Sequence, residues 1–261
     1  MKPSNKAVFA RTQVLKCVVI HGATAPPREV IEQLGTRWSS QDRRQFDEDC
    51  AKQAQALISA MLKFGLWKHA SPKEQAFLRS SGFSMDSYAR MAAGWRMECV
   101  GALMWALNLL PEYPRIDLET DMNLLKRLEL TKVGIFSKSP SLRPHSELMA
   151  ARDLTELWHW RVRTRRIVEE GRAFEPTADM KKAGLHTFDD IVRMSARTAY
   201  ERGDLAELIE DDFVFKSKPF RALTQEDYHV AASIIMERHL ALNWVCGMAP
   251  GNRWDETPTD T

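Results

Sequence analysis

Two pairs of residues in this chain have the spacing of metal ligands: Glu156 with His159, and Glu226 with His229. On a helix, Glu-x-x-His sets a carboxylate and an imidazole on one face, as in bundles that hold two metal ions between their helices. Such bundles need further carboxylates from other helices, and Glu98 and Glu237 are the candidates. Against a metal stands the frequency of Glu in a chain with seven histidines, which makes such pairs by chance. Glu226 also falls in the first turn of its helix, where the helix dipole favours an acid for its own sake. The expectation is no metal and no cofactor, with these four residues the nearest approach to a metal site.

A second set of polar residues stands out for where it falls. From Tyr228 to Met248 the chain reads as a helix apolar around most of its circumference. Val230, Ile234, Ala241, Val245 and Met248 fill one side, Ile235, Leu242 and Cys246 a second, and Met236, Leu240 and Trp244 a third. Such a helix is usually central. Glu237 and Arg238 project inside these apolar arcs. A buried charge is tolerated only when paired and hydrogen-bonded, so the pattern predicts polar partners on neighbouring helices. Arg96 and Glu98 supply opposite charges, and the four are expected to form one buried ionic cluster. With His159, Trp160 and Asn243 they make up the candidate polar pocket. Its ordinary reading is a structural ion-pair network; its functional reading is the floor of a site.

These residues need helices to position them. Asn5 to Val19 reads as a helix or, through Val18-Val19-Ile20, as a short strand. Pro26-Pro27 opens a short helix. Ser40 to Phe64 is a long helix closed by Gly65, and Ser71-Pro72-Lys73-Glu74 has the N-cap, N1 proline and early acid of a short one. Ser84 to Leu109 is a second central helix, stopped by Pro111 and Pro114. Leu118 to Leu130 reads as helical, Lys132 to Ser137 as a short strand, and Glu147 to Gly171 and Thr187 to Arg202 as helices. Phe213 to Phe215 suggests an extended pair. Thr224 caps the final helix, which Gly247, Pro250 and Gly251 end. The expected fold is all-α: a single multi-helix globular domain over residues 1–261, with room for a small two-stranded β element. Residues 249–261 have no helical or strand period, yet they carry Trp254, costly to leave in water. This tail is expected to fold back on the bundle, with Asp255 and Asp260 accepting hydrogen bonds from helix N-termini or arginines.

Length and composition fit a soluble globular protein, with 37 basic and 35 acidic residues leaving a net charge of +2. No global field drives the chain toward nucleic acid or membrane. The run Arg161 to Arg166 is the densest basic patch, and Glu156, Glu169 and Glu170 lie at helical distance from it, so it reads as a solvated, salt-bridged face. The four cysteines stand apart and read as reduced thiols in a cytosolic protein. Arg11 and Lys16 interrupt what would otherwise resemble a signal-peptide apolar region. Phosphate-loop, dinucleotide-loop, nucleophile-elbow and zinc-protease motifs are missing from the sequence.

Several motifs together resemble one bacterial family, the domain of unknown function four-two-seven-two. They are Trp95-Arg96-x-Glu98 leading into Leu103-Met104-Trp105-Ala106-Leu107, His159-Trp160, Glu237-Arg238-x-x-Ala241-Leu242-Asn243-Trp244, and Trp254-Asp255-Glu256-x-x-x-Asp260-Thr261. The likeness runs from about Arg11 onward, and the last two motifs are its most specific part. The family has a Tyr-Arg pair before His-Trp, where this chain has Glu156-Leu157, so that Glu-x-x-His is particular to this sequence. The resemblance implies a bacterial cytosolic protein and brings no activity.

Two functions fit these residues. One is a non-catalytic module that binds a protein partner or a small molecule, with neither nucleic acid nor membrane involved. The other is a metal-dependent or other hydrolase working through Arg96, Glu98, His159, Glu237 and Arg238. No nucleophile–base pair or metal shell can be assembled from sequence, which favours the first. The two part on whether Glu98, His159 and Glu237 meet in an open pocket or are sealed and paired.

Overall fold

The structure, a computed structural model, describes residues 2–24, 30, 32–33, 36–130 and 140–259. Among them the chain forms α1 (Asn5–Thr24), α2 (Ser40–Lys63), α3 (Pro72–Arg79), α4 (Ser87–Ala106), a four-residue α5 (Leu124–Arg127), α6 (His145–Glu169), a short α7 (Ala178–Lys182), α8 (Phe188–Glu201) and α9 (Gln225–Val245). One antiparallel hairpin, β1 (Val214–Phe215) with β2 (Lys218–Pro219), precedes α9. The fold is mostly helical with a small β element. The predicted helix at Pro26-Pro27 and strand at Lys132 to Ser137 lie outside the described residues.

Local chemistry sets the ends of the helices. Ser39, Ser71 and Thr187 close reciprocal capping boxes with Asp42, Glu74 and Asp190. At the other end, α2, α4 and α9 stop where Gly65, Asn108 and Gly247 turn left-handed. The amide of each of these residues, and of the next, bonds back into the last helical turn. Helix α4 therefore ends at Ala106, short of the predicted Leu109, because Asn108 acts before Pro111 can. The Val18-Val19 run is helical, since both side chains are buried and packing outweighs a weak local propensity.

Leu118 to Leu130 is not the predicted helix. Apart from α5 it is turn and coil, and its neighbourhood shows why: the carbonyls of Pro114, Arg115 and Leu118 all accept from Arg238. A helix from Leu118 would direct that residue's carbonyl into its own ladder and away from Arg238.

Helix α1 packs on α4, and α9 packs on both α4 and α6. The apolar core falls into three clusters. The first joins α1, the second half of α4, the end of α9 and Trp254. The second joins α6, α8, the hairpin and the start of α9. The third seats Met61, Leu66 and Leu78 against α1. Helix α9 thus runs through two cores, with Glu237, Arg238 and His239 at the change-over. Its third predicted apolar side is only partly covered, for Met236 is 45% exposed while Trp244 is buried. Among the described residues no helix is long and apolar enough to cross a membrane.

The basic run of α6 differs from the solvated face the sequence suggests. Arg166 does lie in solvent beside Glu170, but Arg161 is buried and forms two 2.7 Å bonds to Asp212, itself 0% exposed. Arg165 is also largely covered and donates to the carbonyls of Phe220 and Leu223. Glu156 pairs with Arg152 rather than with this run. These arginines tie the segment before α9 onto α6. Burial tends to raise the Asp212 carboxyl, but bonds and charge from Arg161, with the amides of Arg221 and Phe213, outweigh it and hold the carboxyl below its ordinary value. Asp212→Asn leaves Arg161 buried without its counter-charge and is expected to cost about 3–5 kcal/mol in urea denaturation. A loss below about 1 kcal/mol would show that this pair is not a structural tie.

Candidate functional site

Arg238 is wholly buried, at 0% exposure, and Glu98 facing it from α4 is 2% exposed. The guanidinium lies 2.7 Å from the Glu98 carboxylate. Its remaining N–H groups donate to the carbonyls of Pro114, Arg115 and Leu118 at 2.8–2.9 Å. The Glu98 carboxylate also accepts the amide and hydroxyl of Thr120, both at 2.8 Å. Thr120 comes this close because residue 101 is glycine: a Cβ there would stand 2.6 Å from the Thr120 hydroxyl oxygen. Both charges are sealed and saturated.

Arg96 and Glu237 make a separate, half-buried pair at 2.8 Å. The Cys99 thiol donates to the same carboxylate at 3.0 Å. Burial first, and then the Glu237 charge, push this thiol well above its ordinary range, so it stays protonated and is no nucleophile. Among the described residues no hydrogen bond or ion pair joins this pair to Glu98 and Arg238, so the four charges form two bridges between α4 and α9 rather than one cluster.

His159 of α6 belongs to neither bridge. Its Nδ1 lies 2.9 Å from Nδ1 of His239. His239 Nε2 faces the Asn243 amide nitrogen at 3.0 Å. That amide also donates to the carbonyl of Pro258 in the tail, at 2.8 Å, while its oxygen accepts from Arg152. The amide orientation makes His239 Nε2 an acceptor, so the ring proton sits on Nδ1 and points at His159. A second proton on His239 would meet the amide N–H. Burial first, then the nearby His159 and Arg152, lower this imidazole to about 3. Trp160 lies half-buried against the second core cluster, away from this chain.

The tail turns back after left-handed residues at Gly251 and Asn252. Trp254 is 4% exposed and meets Trp244 edge-on at 5.5 Å, while the Trp244 indole N–H donates to Asn252 O. Asp255 accepts the amide of Lys73 in the first turn of α3, at 3.3 Å. Asp260 lies outside the described residues.

Beside the tryptophans is a cleft of about 650 Å³ between the start of α1, the turn at residues 68–72 and the tail. At its inner side is Arg11, which is 7% exposed. Arg11 bonds Glu74 and the carbonyl of His69, both at 2.5 Å, and its guanidinium lies 5.0 Å from the Trp254 ring centre. Its Nε, Nε2 of His69 and Oδ1 of Asn252 are buried with no partner among the described residues, and all three side chains line the cleft. Burial, then the charges of Lys68 and Arg11, lower the His69 imidazole, which is therefore neutral at pH 7. Sequence reasoning missed Arg11, His69 and Glu74. A signal existed in a lone arginine within a long apolar helix, the same pattern that singled out Arg238.

The two Glu-x-x-His pairs do not meet as a ligand set. Glu156 is taken by Arg152, Glu226 and His229 are exposed, and His159 is turned to His239. Among the described residues no group of three or more His, Cys, Asp or Glu side chains is placed to hold a metal.

Residues 4–178 match the model of the family described as Domain of unknown function (DUF4272), and the chain belongs to that family. The match takes in Arg11, Glu74, Glu98 and His159. It ends before Glu237-Arg238 and Trp254-Asp255-Glu256, the two most specific motifs of the resemblance. No curated protein and no solved structure matched the chain.

The histidine chain predicts a pH dependence. Since His239 titrates lower in the folded protein than its ordinary 6.5, the unfolded chain takes up a proton that the folded chain refuses. Its contribution is complete above about pH 6.5 and is lost as pH falls toward 3. Between pH 7 and 4.5 His239→Gln should lose stability less steeply than the wild type in chemical denaturation. Parallel profiles would mean that His239 protonates freely in the fold.

Proposed function

We propose that this is a non-catalytic bacterial cytosolic protein that binds a small molecule in the cleft between the start of α1 and the tail. In this reading residues 1–261 act as one helical domain, and the tail 249–261 is part of the binding wall. The observation that carries it is the contrast between two kinds of buried polar group. Glu98, Glu237, Arg238, His239 and Asn243 spend their bonding capacity on one another and on the backbone. Arg11, His69 and Asn252 line an open concavity, and each keeps one buried polar atom without a partner among the described residues. Unpaired buried donors and acceptors are costly, and a concave site with a few convergent polar groups is where ligands bind. Hydrolysis would need an activated nucleophile or base; the Cys99 thiol stays protonated, and His239, lowered to about 3, is a weak base whose Nε2 is already taken by Asn243. Four buried free thiols agree with a reducing compartment.

A thermal-shift screen of common metabolites tests this. At tenfold excess over Kd a ligand stabilises by about 1.4 kcal/mol, roughly 2–4 °C for a chain of this size. Hits should disappear in Asn252→Ala and in His69→Ala, and should be recovered chemically unchanged after incubation. Turnover of a hit, or hits indifferent to both variants, would overturn the reading.

A further inference from the structure

We propose that the ligand of this cleft is a small anion, a carboxylate or phosphoryl group held against Arg11 and His69 with Lys2 and Lys68 at the mouth. This rests on the cleft being the binding site and adds the chemistry of what it takes.

Unpaired charge at the cleft points to an anion. Each acid at the cleft is engaged: Glu74 Oε2 receives Arg11 and the amide of Ser71, while its Oε1 has no partner among the described residues; Glu256 pairs with Arg253 at 2.5 Å; Asp255 receives the Lys73 amide. The charges at the cleft without an ionic partner are chiefly cationic. Arg11 Nε–H can only donate, and a neutral imidazole can present an N–H from Nε2. Lys2 and Lys68 line the cleft and have no acidic partner among the described residues. The buried acceptors without a partner among the described residues are Asn252 Oδ1 and Glu74 Oε1.

Position supports the same conclusion. Lys2 is held at the mouth by the fold, because the chain at residue 2 lies against Gly247, where a Cβ would stand 2.9 Å from the lysine Cγ. Gly247 also needs its positive φ of 87° to end α9. The Arg11 guanidinium is fixed by Glu74, the His69 carbonyl and the Trp254 face, so its charge is preorganised rather than recruited. After burial, the charges of Lys68 and Arg11 disfavour a proton on His69, as a positive local potential does. An anion seated there relieves that potential, and charge-assisted bonds are the stronger kind.

The test is a titration of the full chain, labelled at histidine, followed by NMR. The probes are inorganic phosphate, succinate and the neutral dimethyl succinate. The expected result is a saturable shift of the His69 resonances with phosphate or succinate, a raised His69 pKa in the complex, and no response to dimethyl succinate. Whichever anion binds more tightly separates phosphoryl from carboxylate ligands. Lys2→Ala and Lys68→Gln, both mouth positions, should each weaken binding about two- to fivefold, within the range for exposed charges, with the fold of the free protein unchanged by circular dichroism. Saturation by dimethyl succinate and not by the anions would overturn the anion assignment and leave the cleft as the binding site. No His69 response to any probe also overturns it, and the metabolite screen then decides whether the cleft binds anything. Anion binding that leaves His69 unmoved and ignores both lysine variants is an adventitious ion only and counts against the proposal.

Discussion

The Arg238 guanidinium has no contact with water, and the centre of the molecule is arranged to satisfy it. Leaving such a charge uncompensated costs several kcal/mol, more than the ~1.5–3 kcal/mol that burial of a large apolar side chain returns. The fold answers with Glu98 across α4 and three carbonyls of the segment after that helix. Residues 114–120 are therefore loop, Thr120 must reach Glu98, and residue 101 must be small enough to let it. One charge on α9 so fixes the partner helix, the path of a connection and the identity of a glycine.

The same device recurs with different partners. Arg161 and Asp212 tie the segment before α9 to α6, and Arg11 and Glu74 tie α1 to α3. Arginine suits this use because its planar fork meets carboxylates and carbonyls in fixed directions. The third instance differs in that Arg11 sits beside a cleft and keeps one N–H unspent. That difference separates a structural tie from a candidate site, although the residue types are alike.

Much of the helical frame was legible in the sequence, because its signals are local. Ser39, Ser71, Thr187 and Thr224 announce helix starts by their own chemistry, and Gly65 and Gly247 announce ends. The failures were non-local. Nothing in Leu118 to Leu130 shows that neighbouring carbonyls would be claimed by an arginine 120 residues away. Nothing in Arg161 to Arg166 shows that two of its arginines would be covered by a segment still to come. For the polar residues, the apolar arcs around Glu237 and Arg238 correctly implied partners, but periodicity cannot say who pairs with whom. The crossed pattern, Arg96 with Glu237 and Arg238 with Glu98, is a property of how α4 lies on α9. Arg11 carried the same apolar-helix signal, and only the turn at residues 68–72 and the tail, distant in sequence, give it a site.

The central claim is that the Glu98–Arg238 charges hold the fold together rather than perform chemistry. A double-mutant cycle of Glu98→Gln and Arg238→Met, read by chemical denaturation, tests it most directly. The account predicts that the second substitution costs far less once the first is made, with a coupling of at least about 1 kcal/mol, inside the ~0.5–3 kcal/mol range of contacting residues. Additivity within about 0.5 kcal/mol would contradict it.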